Sequence, residues 1–513
     1  MLRRRVPVAL AVALGILLAA VTALAPASAF ADPLSATVAT MPTGQSMPAG
    51  FVGVSLEYRA VHQYTGRDPR AINPVLLKLL QGLAPGQSPV IRIGGNSTDD
   101  TWWPIRGMIP QGGIYYRLTQ GWLRTTQALA SDLNAKLILG INLAAGRPAI
   151  AAAEGRAFVS GIGRRYIDAF EIGNEPDLYP VFYWYRDRRG HVYRRRSHGY
   201  DLAAYIKQFT QWSKVLPNVP LAGPAVSGPN WMRQLSRFIK AEPKAKLITY
   251  HRYPLRACTT DQGDPTFASI PNLLADSSSA GLAAGVSPFV GVAARDHLPL
   301  RIGEINTASC EGAKGVSDTF ASALWSLDTM FNFAARGVQG VNFHMLPGSN
   351  YELFTVSQTA AGTWQAFVHP EYYGLMMFAQ AFPPGAQLLP VNAPAGPVKD
   401  WATVGPDGTI RVTVINQDAT AAHDVNVDIP GATDGGSLET LTAPGLTAAD
   451  GVTLGGQSFG DETATGTLPA TPATTAVIAA SGVYTIPVAP ASATLLTIAP
   501  PPGGGGIGLI RRR

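Results

Sequence analysis

Cysteine is nearly absent from this sequence, since only Cys258 and Cys310 occur in 513 residues. Two cysteines are too few for a cysteine-based metal cage, and we expect no metal centre. In an exported protein the same pair is able to form a disulfide. The spacing of the two residues does not by itself establish that bond.

No apolar run as long as the one within the first 31 residues occurs later in the sequence. The start, "MLRRRVPVALAVALGILLAAVTALAPASAFA", has an Arg-rich head, an apolar stretch and an Ala-x-Ala pattern, which is typical of a secretory signal. We expect cleavage after Ala29 or Ala31, and the alternative is an uncleaved membrane anchor. The mature chain is therefore expected to be secreted or associated with the cell envelope, without stable membrane insertion.

Motifs for nucleic-acid recognition are missing, although the net charge is +6. Arginines cluster in "RDRRGHVYRRR" (186–196) and in the closing "RRR" (511–513), but no recognition motif or aromatic-basic interleaving accompanies them. We expect no nucleic-acid partner. The run at 186–196 is either a solvated loop or a rim that attracts an acidic polymer.

Short apolar runs alternate with segments of helical period over residues 49–380, which is typical of repeated strand-helix units on a parallel sheet. Eight runs occur: 50–58, 89–96, 136–144, 168–176, 219–226, 246–254, 298–306 and 337–345. This number predicts a (β/α)8 TIM barrel. A doubly wound open sheet is the alternative, but no Gly-rich phosphate loop follows the first run.

After residue 385 the amino-acid composition becomes rich in Thr, Val, Ala and Gly, as in "TIRVTVINQD" (409–418). Alternating residues between closely spaced turn signals predict an antiparallel β-sandwich over 385–500. The segment 32–48 has a similar composition and is expected to add one strand to it. Residues 501–513, rich in Gly and ending in Arg, are predicted to be a disordered tail.

Polar residues stand at the far ends of the predicted barrel strands, where active sites of this fold collect. They are Glu57, Asn96, Asn142, Glu175, His251 with Tyr253, Glu304 and His344. Glu175 and Glu304 end the fourth and seventh strands, so a barrel brings both to one pocket. Two carboxylates that face each other across a sugar are the requirement for glycoside hydrolysis.

Strand alternation separates the two glutamates of "FEIGNEPD" (170–177) into different roles. If Glu175 points into the pocket, Glu171 on the same face points into the barrel interior below it. An unpaired buried carboxylate is too costly, so we expect Glu171 to pair with an interior cation such as Arg92. By the same alternation Arg92 and Asn96 share a face. His251 and Tyr253 also share one, either as a satisfied interior pair or as pocket residues.

The motifs resemble those of known carbohydrate enzymes. "FEIGNEPD" followed by "LRIGEIN" resembles clan A of the retaining glycoside hydrolases. "VGVSLEY", "IRIGGNSTDDTWW", "HRYPLRAC" and "SCEGAKGVSDTFASALWSLDTMFNFAARGVQGVNFH" resemble glycoside hydrolase family 79, the β-glucuronidases and heparanases. The resemblance covers most of residues 50–380 and, less specifically, the C-terminal sandwich. It implies a retaining β-glycosidase that acts on glucuronides or uronic-acid-containing glycans.

The resemblance also implies a role for each matching residue. Glu175 would be the acid/base and Glu304 the nucleophile, with Arg92 and Tyr253 positioning the latter. Glu57 and Asn96 would line the sugar subsite, and Asn174 would bond the sugar 2-hydroxyl. From their positions at the strand ends we also expect His251, Tyr253 and His344 to bind substrate. A disulfide between Cys258 and Cys310 would tie together the loops after strands six and seven.

One position departs from the family pattern. Family glucuronidases bind the substrate carboxylate with amides of a Gly-rich turn after strand seven and with a tyrosine hydroxyl, whereas that turn here reads "ASCEGAKG" (308–315). Glu311 would repel an anionic sugar unless it turns away or is protonated. Tyr351 or the arginines of 186–196 are candidates for the missing contact.

The alternatives left open are a neutral β-glycosidase, a transglycosidase and a non-catalytic carbohydrate-binding protein. The only expected partner is a glycan or glycoside substrate, and the proposed chemistry requires no cofactor. The sequence predicts neither the oligomeric state nor the choice between endo and exo action.

Overall fold

The computed structural model describes residues 33–432, 435–469 and 471–500. The predicted signal peptide at 1–31 and the predicted tail at 501–513 lie outside the described residues.

The strands, in chain order, are β1 (Leu34–Val38), β2 (Val52–Glu57), β3 (Val90–Gly94), β4 (Thr101–Trp102), β5 (Tyr116–Arg117), β6 (Lys136–Ile141), β7 (Ile167–Ile172), β8 (Tyr183–Arg186), β9 (Val192–Arg194), β10 (Leu221–Val226), β11 (Ala245–Arg252), β12 (Leu255–Arg256), β13 (Leu300–Ile305), β14 (Ala308–Ser309), β15 (Val341–Met345), β16 (Phe354–Gln358), β17 (Trp364–Val368), β18 (Gln387–Leu389), β19 (Val391–Asn392), β20 (Val398–Val404), β21 (Ile410–Asn416), β22 (His423–Asp428), β23 (Gly435–Thr442), β24 (Thr453–Leu454), β25 (Thr475–Ile478), β26 (Val483–Val488) and β27 (Ser492–Ile498).

The helices are α1 (Val61–Thr65), α2 (Pro74–Leu83), α3 (Gln120–Asp132), α4 (Pro148–Phe158), α5 (Leu202–Val215), α6 (Pro229–Met232), α7 (Leu235–Ala241), α8 (Ile270–Leu274), α9 (Ala280–Arg295), α10 (Phe320–Ala335) and α11 (Pro370–Ala381).

A closed parallel barrel dominates the fold, and its strands run β2, β3, β6, β7, β10, β11, β13, β15 before β15 returns to β2. Each of these strands overlaps one of the eight apolar runs of the sequence. The predicted TIM barrel is therefore confirmed. The open doubly wound sheet is wrong, because β10 pairs with β7 and β15 pairs with β2.

The barrel interior is filled in layers. Near the N-terminal ends of the strands lies an apolar cluster of Val90, Ile138, Ala169, Ala222 and Leu247. Two residues further along β3 and β7 the interior becomes charged, with Arg92 and Glu171 both fully buried. The polar residues of the barrel are thus concentrated toward the C-terminal ends of the strands.

Local sequence explains where the surrounding helices begin. At α2, Asn73 accepts hydrogen bonds from the backbone N–H groups of Val75 and Leu76, and Pro74 occupies the first helical position, both typical helix starts. The helix α10 follows Thr319 and stays buried over almost its whole length. This helix is therefore part of the core, and it ends before Gly337.

Two β-sheets form the second domain. One has the order β19, β1, β22, β26, and the other has the order β18, β20, β21, β27, β23, β24, with β25 beside β23. Both contribute to one apolar core, for example through Val38, Val414, Val427 and Leu496. The predicted β-sandwich is confirmed, with one parallel pair, β1 with β22, among antiparallel neighbours.

Within the described residues, the segment Asp276–Arg295 is long and apolar enough to cross a membrane by length and composition alone. Its helix α9 packs against the barrel through Leu282, Val286 and Phe289, which are buried.

Candidate active site

Two carboxylates meet at the C-terminal mouth of the barrel. Glu304 lies on β13, and Glu175 lies in the turn after β7. One oxygen from each, together with a ring nitrogen of His251, lie within 4.8 Å of one another. The Glu304 side chain is 10 % exposed and that of Glu175 is 18 % exposed, so both are shielded but accessible from the mouth.

Glu175 reaches this place through a turn and not through the strand. β7 ends at Ile172, Gly173 has φ 79°, and Glu175 itself has φ 46°, a conformation that is costly for a residue with a side chain. The backbone N–H of Glu175 donates to the carbonyl of Ala225 at 2.8 Å, and its carbonyl accepts from Leu178. The strand alternation expected across 171–175 therefore stops before Glu175.

Arg92 connects the two carboxyl-bearing strands from inside the barrel. Its Nε donates to Glu171 at 2.7 Å, and its Nη1 donates to Glu304 at 2.8 Å. Its Nη2 donates to Asn174 Oδ1 at 2.8 Å, and Nη1 also donates to Ser55 Oγ at 2.9 Å. The guanidinium thus holds the proposed nucleophile and the residue before the proposed acid in one rigid frame. Burial alone lowers the pKa of Arg92, but the charges of Glu171 and Glu304 more than offset this.

The surroundings of Glu304 favour its ionised form. Burial by itself raises the pKa of Glu304, but the charges of His344, His251 and Arg92 outweigh burial and hold the pKa well below its usual range. Tyr253 adds to this by donating its hydroxyl to Glu304 Oε1 at 2.9 Å. Burial and the Glu304 charge raise the pKa of Tyr253, so that hydroxyl keeps the proton it donates.

The two histidines face the carboxylates from β11 and β15, the strands on either side of β13. His251 Nδ1 lies 3.2 Å from Glu175 Oε1 and 3.9 Å from Glu304 Oε2. His344 Nδ1 lies 3.1 Å from Ser55 Oγ and 3.8 Å from Glu304 Oε2, while its Nε2 lies 3.8 Å from Glu57 Oε1. The structure thus places both rings at the carboxylate cluster.

Glu57 is buried at the end of β2 and shapes the turn after β3. Its carboxylate accepts the backbone N–H groups of Asn96 and Ser97 at 3.0 and 2.7 Å. Gly95 has φ 65°, and a Cβ there would collide with the Glu57 carboxylate, so this turn requires glycine. Because β3 ends at Gly94, Asn96 leaves the face of Arg92, and its side chain is exposed.

Several residues at the site were missed by sequence reasoning. Asp99 accepts the Tyr179 hydroxyl at 2.6 Å and the backbone N–H groups of Leu143, Ala144 and Asn174 at 3.1 to 3.4 Å. It therefore joins the loops after β3, β6 and β7. The signal was present as an acid pair inside "NSTDDTWW", just after a predicted barrel strand.

Asp177, two residues after Glu175, was missed in the same way. Its carboxylate accepts the backbone N–H groups of Gly228 and Ser227 at 2.8 and 3.2 Å, which ties the Glu175 turn to the loop after β10. Burial, and then the charge of Glu175, raise the pKa of Asp177 to about 6.

The loop after β13 carries the predicted disulfide, and the structure joins Cys258 to Cys310. The bond links this loop to the one after β11, where β12 and β14 also pair. Glu311 has φ 66°, a conformation that favours glycine, and its side chain is exposed. Tyr351 is buried nearby, its ring 6.4 Å from that of Tyr253 and 6.0 Å from that of His344.

The arginine run at 186–196 forms a hairpin of β8 and β9. Its last two arginines are bound at the base. Arg195 lies 3.4 Å from Asp100, and Arg196 donates to the carbonyls of Leu143 and Ala144. Neither is therefore free to reach a substrate carboxylate.

Known proteins resemble this chain in both domains. Residues 400–495 match the glycosyl hydrolase family 79 C-terminal beta domain. A Neurospora crassa β-glucuronidase is 24% identical over 386 residues, which cover 67% of this chain and 65% of that protein. The matched C-terminal segment and this relative make the chain similar to members of glycoside hydrolase family 79. An Aspergillus niger β-glucuronidase is 27% identical over 190 residues, which cover 33% of this chain and 35% of that protein. The chain thus aligns with less than two thirds of either relative's length.

Solved structures share the fold of this chain. A 4-O-α-L-rhamnosyl-β-D-glucuronidase from Fusarium oxysporum has a TM-score of 0.70 at 19% identity, covering 90% of this chain and 100% of its own. A family 51 arabinofuranosidase from Xanthomonas axonopodis has a TM-score of 0.66 at 15% identity, covering 91% of this chain and 99% of its own. At such identities the likeness establishes the barrel with its β domain.

Proposed function

We propose that this chain is a secreted, retaining β-glycoside hydrolase that acts on β-glucuronides. The observation that carries the proposal is the spacing of Glu175 and Glu304, whose oxygens approach within 4.8 Å. Retaining glycosidases hold their two carboxyl groups about 5 to 5.5 Å apart, whereas inverting enzymes need a wider gap for a water molecule. The spacing therefore favours double displacement.

In the first step Glu304 attacks the anomeric carbon and forms a glycosyl ester, while Glu175 protonates the departing glycosidic oxygen. In the second step Glu175 takes a proton from water, the water oxygen attacks the anomeric carbon, and the ester bond to Glu304 breaks. The low pKa of Glu304 supports its role as nucleophile. Arg92 and Tyr253, which each donate to a different oxygen of Glu304, fix its orientation.

The same three side chains, Glu175, His251 and Glu304, could also be considered as metal ligands. The Arg92 guanidinium, 2.8 Å from Glu304 Oε2, would repel a divalent cation bound to that carboxylate. Acid-base chemistry without a metal is therefore the better use of this cluster.

A glucuronide is the favoured substrate because the aligned relatives are β-glucuronidases. Tyr351, packed beside Tyr253 and His344, is well placed to bind the sugar carboxylate with its hydroxyl. Export is supported by the N-terminal segment and by the disulfide.

A neutral β-glycoside is the second candidate, and Glu311 favours it. The charge of Glu311 contributes, after burial and the charges of Glu304 and Glu57, to raising the pKa of Tyr351. Its negative charge therefore reaches the position where a sugar carboxylate would bind.

The test compares 4-nitrophenyl β-D-glucuronide with 4-nitrophenyl β-D-glucoside and follows the product anomer by NMR. We expect hydrolysis of the glucuronide with the β anomer formed first. Preference for the glucoside would establish the neutral candidate, and the α anomer as first product would overturn double displacement. Sugar binding without turnover on either substrate would indicate a carbohydrate-binding protein.

A further inference from the structure

An exposed aromatic hairpin stands beside the proposed acid. We define it as residues 181–194, which include β8 and β9. Five large apolar side chains in it are exposed to solvent: Val181 at 54 %, Phe182 at 56 %, Tyr183 at 71 %, Val192 at 47 % and Tyr193 at 42 %. Within the described residues, only four other large apolar side chains are at least as exposed as Tyr193. Such a concentration on one element marks a surface that binds something.

The aromatic hairpin is also strongly positive. Arg186, Arg188, Arg189 and Arg194 are exposed, and none of them forms an ion pair with any residue that the structure describes. The hairpin contains a single acid, Asp187. That carboxylate is already used, because it accepts from the backbone N–H groups of Arg189 and His191 and contacts the His191 ring.

The base of the aromatic hairpin is fixed to the rim of the active site. Trp184 Nε1 donates to Asp100 Oδ1 at 3.0 Å, and Tyr115 donates to the other oxygen of Asp100 at 3.2 Å. The neighbouring Asp99 holds the backbone N–H of Asn174. On the other side, Val181 and Phe182 donate their backbone N–H groups to the carbonyl of Leu178, within one turn of Glu175.

This position determines which part of a substrate the aromatic hairpin meets. Glu175 protonates the oxygen of the leaving group, so the aglycone extends from the pocket on the side of Glu175. The chain that follows Glu175 leads directly into the hairpin. A saccharide presents apolar faces that pack on aromatic rings, and a guanidinium binds carboxylates and sulfates in a bidentate manner.

We infer that the aromatic hairpin is the aglycone subsite and that it selects an anionic saccharide as the leaving group. The inference rests on the proposed function, because only a glycosidase substrate has an aglycone that departs as a leaving group. The binding of an anionic saccharide to this surface is independent of turnover. Because the aglycone departs in the first step, the hairpin acts on formation of the glycosyl-enzyme and not on its hydrolysis.

The test uses the full-length chain and three substrates that share a β-glucuronosyl residue. Their aglycones are a galactose disaccharide, a galacturonate disaccharide and a sulfated galactose disaccharide. We expect kcat/KM to be higher for the anionic aglycones, roughly two- to thirtyfold for contacts to two exposed arginines, and to fall toward the neutral value at high salt. The carboxylated and sulfated substrates distinguish the two anionic chemistries.

The variant R188Q/R189Q is expected to abolish this preference while leaving 4-nitrophenyl glucuronide hydrolysis and the hydrolysis of the glycosyl-enzyme unchanged. The matched control is R156Q/R336Q, because both arginines are exposed near the C-terminal ends of α4 and α10, at the opposite end of the barrel. The control should keep the full preference. Tyr183→Ala should lower kcat/KM for both the neutral and the anionic saccharide aglycones.

Equal kcat/KM for charged and neutral aglycones in the wild type would overturn the inference, as would a preference that survives R188Q/R189Q. A shift from dimer to monomer in R188Q/R189Q by sedimentation would also overturn it, since the surface would then bind a second copy of the chain. If the wild type hydrolyses no glucuronide, the proposed function fails. Calorimetric titration with the galacturonate and galactose disaccharides then decides whether the hairpin binds an anionic saccharide.

Discussion

Replacing Glu175 by alanine gives the most detailed expectation for the proposed chemistry. A positioned general acid contributes typically 10²- to 10⁴-fold to a rate, equal to about 2.7 to 5.4 kcal/mol of barrier. We expect a loss of that size in kcat/KM for a methyl or saccharide β-glucuronide, whose leaving group needs a proton. A 2,4-dinitrophenyl β-glucuronide needs none, so its glycosylation step should be nearly unaffected.

The structure also predicts how the variant can be rescued. Removing the Glu175 carboxylate leaves space beside His251 Nδ1, which lies 3.2 Å from Glu175 Oε1 in the intact site. Azide entering there would attack the glycosyl-enzyme from the face opposite Glu304. We therefore expect azide to accelerate turnover of the dinitrophenyl substrate and to yield the β-glucuronosyl azide.

The assay is steady-state kinetics on a series of aryl glucuronides of graded leaving-group ability, with product analysis by NMR. Glu462→Ala serves as the control, because Glu462 is exposed in the β domain. An equal loss on good and poor leaving groups, or an α-azide product, would refute the role given to Glu175.

Three further predictions concern the frame around the nucleophile. The folded pKa of Glu304 lies below its unfolded value, so its contribution to stability is complete above pH about 4.5 and is lost as the pH falls. The free energy of unfolding in urea should therefore fall more steeply between pH 4.5 and 3 for the wild type than for Glu304→Gln. Equal slopes would contradict the assignment. Arg92→Met leaves two buried carboxylates without their cation and should lower the free energy of unfolding by about 3 to 5 kcal/mol, whereas a loss below about 1 kcal/mol would show that the Glu171 pair is not important for stability. Reducing the Cys258–Cys310 bond opens a loop with a sequence separation of 52, which the chain-entropy relation values at about 4 kcal/mol; an unchanged unfolding midpoint for Cys258→Ala/Cys310→Ala would contradict this.

The barrel could be predicted from the sequence because each of its strands is a separate apolar run. A run such as 298–306 is buried on both faces and contrasts with the amphipathic segments around it. The same contrast separated the Thr- and Val-rich β domain from the barrel. These are local signals, so they can be recognised in the sequence without knowledge of any long-range contact.

The site was harder to predict from the sequence, because turns interrupt the strand alternation on which the prediction relied. Glu175 and Asn96 both follow glycines with positive φ, Gly173 and Gly95, and their side chains leave the strand faces. The pairing of Arg92 with Glu171 was inferred from the cost of burying an unpaired carboxylate, and the structure shows it. The additional bonds from Arg92 to Glu304 and Asn174 depend on strand order in three dimensions.

Asp99 shows the limit of reading one segment at a time. Its partners come from the loops after β6 and β7, more than 40 residues further along the chain. No local pattern reports which backbone N–H groups will surround a buried acid. The acidic pair could be recognised in the sequence, but its role could not.

The central claim is that Glu304 forms a covalent bond to the sugar, and trapping that bond tests it most directly. The enzyme is incubated with a 2-deoxy-2-fluoro-β-glucuronosyl fluoride. The fluorine at C2 slows formation of the glycosyl-enzyme and slows its hydrolysis more, so the glycosyl-enzyme should accumulate. Mass spectrometry of the peptide containing residues 298–306 should then locate one fluoroglucuronosyl group on Glu304. A label on any other side chain, or stoichiometric hydrolysis of the fluoride with an α-anomeric product and no label, would contradict the mechanism.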